Sequence, residues 1–169
     1  MISDLYLHKA EDSDFPEVVE LLKICTRGLY SRGIDQWDDL YPTQEIFSDD
    51  LRSGTLFLCR LEGKLAGAIV FNEVQDPVYL DISWNWTTPR IGVIHRLMVH
   101  PEFQGQGLAK RIMTSIEVKA VKQGYVTMRL DAFTGNPPAL RLYPLLGYAP
   151  CGTIQLRKGS FLCFEKRLA

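Results

Sequence analysis

The chain has no apolar run that approaches the roughly 18 residues of a membrane-spanning helix. Its first residues, Met1-Ile2-Ser3-Asp4-Leu5, lack the basic and apolar regions of a secretion signal. Both absences predict a cytoplasmic protein with no membrane partner. A length of 169 residues is typical of a single domain, so one domain spanning 1–169 is expected.

Cysteine is scarce and shows no metal-binding spacing. The chain has four cysteines, none in a Cys-x-x-Cys pair and each inside an apolar segment: Cys25, Cys59, Cys151 and Cys163. This pattern argues against a disulfide framework and against a zinc cluster, so no metal is expected. Buried, reduced thiols fit the pattern better.

An excess of charge of either sign is also missing, since the formal net charge is −1. A nucleic-acid-binding protein of the strongly basic kind is therefore not indicated. The small sum hides a split along the chain. Residues 1–84 carry 16 acidic and 7 basic side chains, a balance of −9, whereas residues 85–169 carry 4 and 12, a balance of +8. This asymmetry predicts that the two halves face different partners.

Hydrophobic periodicity and turn residues predict a mixed α/β domain around one central sheet. The predicted order is β-α-α-β-β-β-α-β-α-β-β. Strands are expected at 5–8, 55–61, 65–71, 92–99, 126–131, 148–156 and 161–166. Helices are expected near 14–28, 43–52 and 108–123, with a last one that Asn136-Pro137 begins. The stretch 76–89, which holds Trp84 and Trp86, is expected to be an irregular insertion.

The strongest motif joins a strand to a long helix. It reads Val99-His100-Pro101-Glu102-Phe103-Gln104-Gly105-Gln106-Gly107-Leu108-Ala109-Lys110. Two glycines allow the backbone to approach a ligand closely, and the helix N-terminus supplies unpaired N–H groups. Such a site favours a phosphate or pyrophosphate, although a tight turn with no ligand also fits the glycine spacing. The loop has neither the Lys-Ser/Thr of a Walker motif nor the third glycine of a dinucleotide fingerprint.

This motif resembles one of the GNAT superfamily of N-acetyltransferases. The family pattern Gln/Arg-x-x-Gly-x-Gly/Ala is present as Gln104-Gly105-Gln106-Gly107-Leu108-Ala109. A second similar segment, Asn136-Pro137-Pro138-Ala139-Leu140-Arg141-Leu142-Tyr143, follows in the expected order. The resemblance is specific over about residues 92–150 and only topological over 1–75. It implies a mostly antiparallel sheet flanked by helices and splayed where acetyl-CoA, a co-substrate, binds.

The resemblance also implies how acetyl-CoA is held. Backbone groups along Leu97, Met98 and Val99 would pair with the pantetheine arm as if it were an added strand. N–H groups from Gln104 to Lys110, which include those of Gly105, Gln106, Gly107, Leu108 and Ala109, would hold the pyrophosphate. Asn136 would orient the cofactor arm, or it would act as a plain helix cap.

In the family a tyrosine at the position of Tyr143 protonates the departing thiolate, and a purely packing aromatic is the alternative. Tyr143 lies seven residues past Asn136, so two helical turns place both on one face. Pro144 departs from the expected pattern and should kink or end the helix at that point.

The sequence offers three candidates for the group that takes the proton of the acceptor amine. His95 is the leading candidate, because alternation along its strand places it on the same face as Leu97 and Val99, and an ordinary pKa of about 6.5 suits the task. A hydrogen-bonded core histidine is the alternative. Glu73, at the end of the preceding strand, is a second candidate for the base. Asp131 is a third candidate, or it binds the substrate.

Residues 35–50 hold six acidic side chains and no Lys or Arg. This region resembles the acceptor-binding lid of the family, so a cationic amine is expected there. Asp38 would contact the amine, with Trp37 or Tyr41 lining the site. A solvated acidic loop anchored by Trp37 is the alternative. Trp84 and Trp86 are expected to border the same cleft.

The sequence thus predicts an acetyl-CoA-dependent N-acetyltransferase. Its acceptor, a cationic small molecule or a peptide amine, would attack the thioester directly in a ternary complex. A non-catalytic acyl-CoA sensor or interaction module on the same fold is the alternative. The two closing strands could also pair or exchange with a second copy, so a homodimer is one open arrangement.

Overall fold

One sheet of seven strands organises the structure, a computed structural model that describes residues 5–168. The strands are β1 (Leu7–Lys9), β2 (Leu56–Leu61), β3 (Lys64–Asn72), β4 (Ile91–Val99), β5 (Thr127–Phe133), β6 (Ala149–Leu156) and β7 (Gly159–Arg167). Their order across the sheet is β1-β2-β3-β4-β5-β7-β6. Every neighbouring pair is antiparallel except β4 and β5, which are parallel. The mixed, mostly antiparallel sheet is confirmed.

Four α-helices flank the sheet: α1 (Phe15–Ser31), α2 (Gln44–Arg52), α3 (Leu108–Lys122) and α4 (Pro137–Leu145). Short 3-10 helices occupy Asp12–Asp14, Pro77–Asp81 and Pro101–Phe103. The predicted element order is confirmed, with α1 ending three residues later than expected. The glycine with a left-handed backbone after this helix is Gly33, at φ 75°, so Gly28 does not end it.

The two faces of the sheet bury separate cores. One face packs against α3 through Ile112, Met113 and Ile116, which meet Met128 and Leu130 of β5. The opposite face packs against α1 and α2 through side chains that include Val18, Leu21, Phe47, Leu56, Leu58, Ala68 and Met98. Each fully buried aliphatic side chain contributes about 1.5–3 kcal/mol of hydrophobic stabilisation.

The pairing between β4 and β5 is limited to three rows. Ile91, Gly92 and Val93 face Thr127, Met128 and Arg129, and the pairing stops there. Beyond this point β4 continues for six residues and β5 for four, and the two strands no longer pair with each other. The splay that the family resemblance implied is therefore present in the sheet.

A β-bulge interrupts β4 within the stretch that pairs with β3 but no longer with β5. Val70 of β3 lies opposite His95 and Ala68 lies opposite Met98, so β4 has one extra residue. Arg96 takes up the irregularity with φ 48°, a backbone conformation unusual for a residue with a side chain. Strict alternation placed His95 on the face of Leu97 and Val99, and that prediction is wrong. His95 shares the face of Val70 and α1, whereas Leu97 and Val99 pack toward α3.

All four cysteines are free thiols, three of them buried. Burial raises the pKa of Cys25 and Cys163 to about 12. Within residues 5–168 no helix is both long enough and apolar enough to cross a membrane. The same residues contain no group of three or more His, Cys, Asp or Glu side chains arranged to hold a metal ion.

Candidate active site

A cavity of about 940 Å³ opens where β4 and β5 separate. Its wall includes most of the residues predicted to bind acetyl-CoA: Leu97, Met98, Val99, Gln104, Gly105, Gly107, Leu108, Ala109, Lys110, Asn136 and Tyr143. Four predicted acceptor-side residues also line it: His95, Asp131, Trp37 and Tyr41. Three predicted site residues, Gln106, Asp38 and Glu73, are not part of the wall.

The loop before α3 is shaped to receive an anion. Gly105 and Gly107 have φ 74° and 76°, in the left-handed region that glycine tolerates, and nothing lies within 4 Å of a Cβ built on either. The first N–H groups of α3 have no acceptor within the helix. Lys110 and Arg141, the latter missed by the sequence analysis, add positive charge to the same wall. Backbone donors, helix dipole and cations together favour a phosphate.

Side chains of this loop fold back onto its own backbone. Gln104 Nε2 donates to the carbonyl of Val99 at 2.9 Å, which fixes the path from β4 into the loop. Gln106 Nε2 donates to the carbonyl of Glu102 at 3.0 Å. That bond accounts for the absence of Gln106 from the cavity wall and leaves only its N–H as a candidate ligand.

Tyr143 is buried at the cavity wall. Its ring packs against Tyr148 and Phe164, with centroids 6.0 Å and 5.7 Å away. Burial raises the pKa of this phenol, and the negative charge of Asp131 raises it further, so Tyr143 keeps its proton at neutral pH. Helix α4 ends at Leu145, one residue after Pro144, as the missing N–H predicted.

Asn136 performs the predicted capping role and one more. Its Oδ1 accepts a hydrogen bond from the N–H of Ala139 at 3.2 Å, which caps α4. Its Nδ2 donates to Oε1 of Gln36 at 2.9 Å. The loop between α1 and α2 is thereby attached to the N-terminus of α4.

His95 reaches the cavity from the α1 face of β4. The amide oxygen of Asn72 accepts a hydrogen bond from the N–H of Val74 at 2.9 Å and lies 2.9 Å from His95 Nε2. Burial, and after it the positive charge of Arg96, lowers the pKa of His95 to about 4. The imidazole is therefore neutral at physiological pH and a weak base.

Asp131 lies on β5 two residues beyond the last β4 pair. The hydroxyl of Tyr79 donates to its Oδ2 at 2.5 Å. Burial raises the pKa of Asp131, and the Tyr79 bond opposes that rise. Asp76 also lines the cavity and caps the 3-10 helix at Pro77–Asp81 by accepting from the N–H of Val78 at 3.1 Å.

Trp84 and Trp86 were expected to border the cleft, but neither lines the cavity. Trp84 lies behind Tyr79, with ring centroids 5.2 Å apart, and donates through Nε1 to the carbonyl of Tyr79 at 2.9 Å. The carbonyl of Trp86 accepts from the guanidinium of Arg129 at 2.8 Å. The Trp84 side chain therefore supports Tyr79 from within the 76–89 insertion, and the backbone of Trp86 connects the insertion to β5.

Glu73 lies outside the cavity wall and binds Tyr125 and Arg90 instead. Its Oε1 accepts a hydrogen bond from the hydroxyl of Tyr125 at 2.6 Å and pairs with Arg90 at 3.0 Å. These two contacts, with the Tyr125 bond the larger, lower the pKa of Glu73. The structure thus gives this exposed carboxylate a surface ion pair rather than a place beside His95.

The acidic loop pairs with basic groups from the other half of the chain. Asp38 binds Arg157 at 2.6 Å and Lys158 at 2.9 Å, and Asp35 binds Lys158 at 2.7 Å. The hydrogen bond from Arg157 is the main reason that the pKa of Asp38 lies far below its ordinary value. The charge split along the chain is therefore partly resolved inside the molecule.

Several cavity residues were missed because only the tertiary fold brings them in. They are Asp76, Tyr79, Arg96, Phe133, Phe161, Arg157 and Lys158. The Asp76-Pro77 pair is a recognisable N-cap followed by proline, and could have indicated a helical turn in the insertion. Arg96 enters the wall through the bulge, for which the sequence offers no local signal.

Comparisons with known proteins agree with this geometry. A sequence model of the acetyltransferase (GNAT) family matches residues 15–148. A GNAT-family acetyltransferase from Streptococcus agalactiae 2603 superposes with a TM-score of 0.88 at 22% identity, covering 100% of this chain and 98% of that one. One from Listeria monocytogenes 4b F2365 gives 0.79 at 23%, covering 97% and 95%. The ribosomal-protein-S18-alanine N-acetyltransferase from Escherichia coli gives 0.72 at 16%, covering 98% and 94%.

Proposed function

The chain belongs to the GNAT acetyltransferase family, and we propose that it is an acetyl-CoA-dependent N-acetyltransferase that acts on a primary amine. The observation that carries the proposal is the cavity at the β4–β5 splay. Its wall combines the anion-binding loop, the part of β4 that no longer pairs with β5, and a group of polar side chains. A cofactor and an acceptor can therefore meet there in one ternary complex.

The residues present fit acetyl-CoA as co-substrate. Gly105 and Gly107 leave open space beside the N-terminus of α3, where the pyrophosphate would bind. The unpaired stretch of β4 from Leu97 to Val99 offers backbone groups to the pantetheine arm, as a sheet edge does to an added strand. Acetyl-CoA supplies the activated acyl group. Backbone N–H groups of β4 would polarise its carbonyl.

The chain's own residues would manage the protons. The lone pair of the amine nitrogen forms the new N–C bond, and the C–S bond breaks with its electron pair on sulfur. A carboxylate or imidazole of the wall takes the proton that nitrogen loses. Tyr143 gives its phenolic proton to sulfur and later regains one, so that one proton passes in total from nitrogen to sulfur.

Features of the acceptor side favour a cationic amine over a neutral or anionic molecule. Three cations of this side, Arg96, Arg157 and Lys158, are each paired with an aspartate. Asp76 and Asp131 also line it, and no ion pair within residues 5–168 includes either one, while Trp37 and Tyr41 add aromatic rings to the wall. The rings of Phe133 and Phe161, 5.2 Å apart, add an apolar surface for the body of the acceptor. The E. coli protein that superposes on this chain is named as an alanine N-acetyltransferase, which is consistent with an amine acceptor.

Release of free thiol from acetyl-CoA, measured with a panel of primary amines, tests the proposal. We expect release with at least one cationic amine and a loss of at least about 100-fold in kcat for Tyr143→Phe. Gly107→Glu should abolish acetyl-CoA binding, because it adds a negative charge to the anion site. Gly63→Glu is the matched control, since Gly63 has φ 78° and the same open space but lies in the β2–β3 turn.

Two outcomes would contradict the proposal. Binding of acetyl-CoA without thiol release for every amine, and with no effect of Tyr143→Phe, would instead support an acyl-CoA sensor. Equal acetyl-CoA affinity of the Gly107→Glu and Gly63→Glu variants would contradict the proposed cofactor site.

A further inference from the structure

The buried tyrosine of the 76–89 insertion makes a short hydrogen bond to the one carboxylate that β5 contributes to the cavity. We infer that Tyr79 is a positioning residue for acetyl transfer, holding the Asp131 carboxylate at the splay as the group that binds the acceptor amine and accepts its proton. This inference rests on the proposed function and assigns its base.

The location of Asp131 suits that role. It lies on β5 just beyond the last row shared with β4, at the mouth of the splay, and it is half-buried. Its Oδ2 is occupied by the Tyr79 hydroxyl at 2.5 Å. The side chain keeps a second carboxylate oxygen for an amine.

Asp131 also differs in its partners from the acids of the acidic loop and of α2. Asp35, Asp38 and Asp50 are each held by a Lys or Arg within 2.9 Å. Among the ion pairs within residues 5–168, none includes Asp131. Its hydrogen-bond donor is a neutral phenol, so its negative charge is still available to a cationic substrate.

The other candidate bases are less well placed. His95 Nε2 is committed to Asn72, and the ring stays neutral because burial lowers its pKa to about 4. Glu73 lies outside the cavity wall and pairs with Arg90. Of these three candidates, Asp131 is the one carboxylate that lines the cavity, and no ion pair within residues 5–168 includes it.

Tyr79 is held firmly enough to act as a positioning residue. It is 3% exposed, and Trp84 packs against its ring and bonds to its carbonyl. The guanidinium of Arg129 lies 4.1 Å from the Trp84 ring centre and donates to the carbonyl of Trp86. The insertion is thus fastened to β5 by Arg129, two residues before Asp131 on the same strand.

The groups around Asp131 adjust its basicity. Asp76 and Tyr79 face it from the insertion, Tyr143 from α4 and Cys163 from β7, while His95 and Arg96 line the cavity from β4. Burial first, and the charge of Asp76 last, raise the pKa of Asp131, and the Tyr79 hydrogen bond lowers it. The net effect is a carboxylate whose pKa lies above that of an exposed aspartate.

Asp131 and Tyr143 together account for the proton transfers of the reaction. As the N–C bond forms and the C–S bond breaks, the proton leaves nitrogen for the free oxygen of Asp131, and sulfur takes the proton of Tyr143. The protonated carboxyl and the phenolate then exchange a proton through solvent, which restores both residues. An acceptor that binds as an ammonium ion loses one further proton to solvent.

Tyr79→Phe tests the inference, with Tyr125→Phe as the matched control. Both changes remove one buried hydroxyl that donates to a carboxylate, at 2.5 Å to Asp131 and at 2.6 Å to Glu73. With an amine that wild type acetylates, Tyr79→Phe should lower kcat/KM for the amine about tenfold or more, at unchanged acetyl-CoA affinity. The acid limb of its kcat–pH profile should move up by about one pH unit, because loss of the donor raises the pKa of Asp131. Tyr125→Phe should match wild type in both measurements.

A double-mutant cycle covers the case in which Tyr79→Phe folds poorly. Asp131→Asn keeps an acceptor for the Tyr79 hydroxyl and should lower kcat about 100-fold or more. Tyr79→Phe should then cause less than about a twofold further loss in the Asp131→Asn background, because its effect passes through the carboxylate. Additive losses, or a Tyr79→Phe profile equal to that of Tyr125→Phe, would overturn the inference while the proposed function stands. A wild type inactive with every amine would overturn both.

Discussion

Replacing Arg96 with methionine should lower the free energy of unfolding by about 3–5 kcal/mol, because it leaves a buried aspartate without its cation. Arg96 binds Asp50 of α2 at 2.6 Å, and the two side chains are only 11% and 10% exposed. The guanidinium also donates to the hydroxyl of Tyr41 at 3.2 Å. The pair therefore joins the bulge of β4 to α2 and to the acidic loop.

The expected loss of stability comes from leaving the buried Asp50 charge without a partner rather than from losing the attraction between Arg96 and Asp50. A pair this shielded gains little net stability over apolar residues of the same volume, but removal of one partner leaves an uncompensated charge. For a domain of this length, about 3–5 kcal/mol corresponds to a fall in Tm of roughly 6–20 °C. Asp50→Asn in the Arg96→Met background should recover much of the loss, since no buried charge then remains.

Urea unfolding followed by tryptophan fluorescence measures these differences. The control is Asp49→Asn with Arg52→Met, an ion pair in the same helix whose side chains are 69% and 70% exposed. That exposed pair should leave the unfolding midpoint unchanged. Additive costs for Arg96→Met and Asp50→Asn, or a cost no larger than that of the exposed pair, would refute the reasoning.

Two further changes test the sheet junction and the acidic loop. Gly92→Ala should cost about 1–3 kcal/mol in urea unfolding, because a Cβ there would lie 2.7 Å from the Met128 sulfur at the three-row contact between β4 and β5; an unchanged midpoint would contradict this. Asp38→Lys should raise KM for the amine at unchanged acetyl-CoA affinity, because it sets a third cation beside the two that now hold the loop. Asp39→Lys, at an exposed neighbouring position, should have a smaller effect, and equal effects would argue for a general charge response instead.

Local patterns were enough to predict most of the fold. The β2–β3 turn follows from Glu62-Gly63, both with positive φ, and α3 follows from its apolar stripe and the Gly107 that precedes it. The cofactor side of the cavity was predictable for the same reason, since its residues lie in two short continuous segments. The predicted end of α1 was three residues too early because Gly28 lies inside the helix, and β5 runs two residues past its predicted end.

The acceptor side depends on contacts between distant residues, and sequence patterns could not supply it. The face of His95 changed because one extra residue at Arg96 shifts the alternation of β4. Tyr79 lies in a stretch without periodicity, 52 residues from Asp131 in sequence. The acidic loop suggested a charged surface for a ligand, but Asp38 binds a hairpin 119 residues away.

The three-row contact between β4 and β5 has a consequence for the lifetime of the protein. The sheet consists of a four-strand unit, β1 to β4, and a three-strand unit, β5 to β7, joined by this short contact. A molecule that pairs along the open end of β4 would cross-link the two units, and at a hundredfold excess over its Kd it would add about 2.7 kcal/mol to the stability of the native state. Resistance of the protein to proteolysis would then rise with the concentration of that molecule.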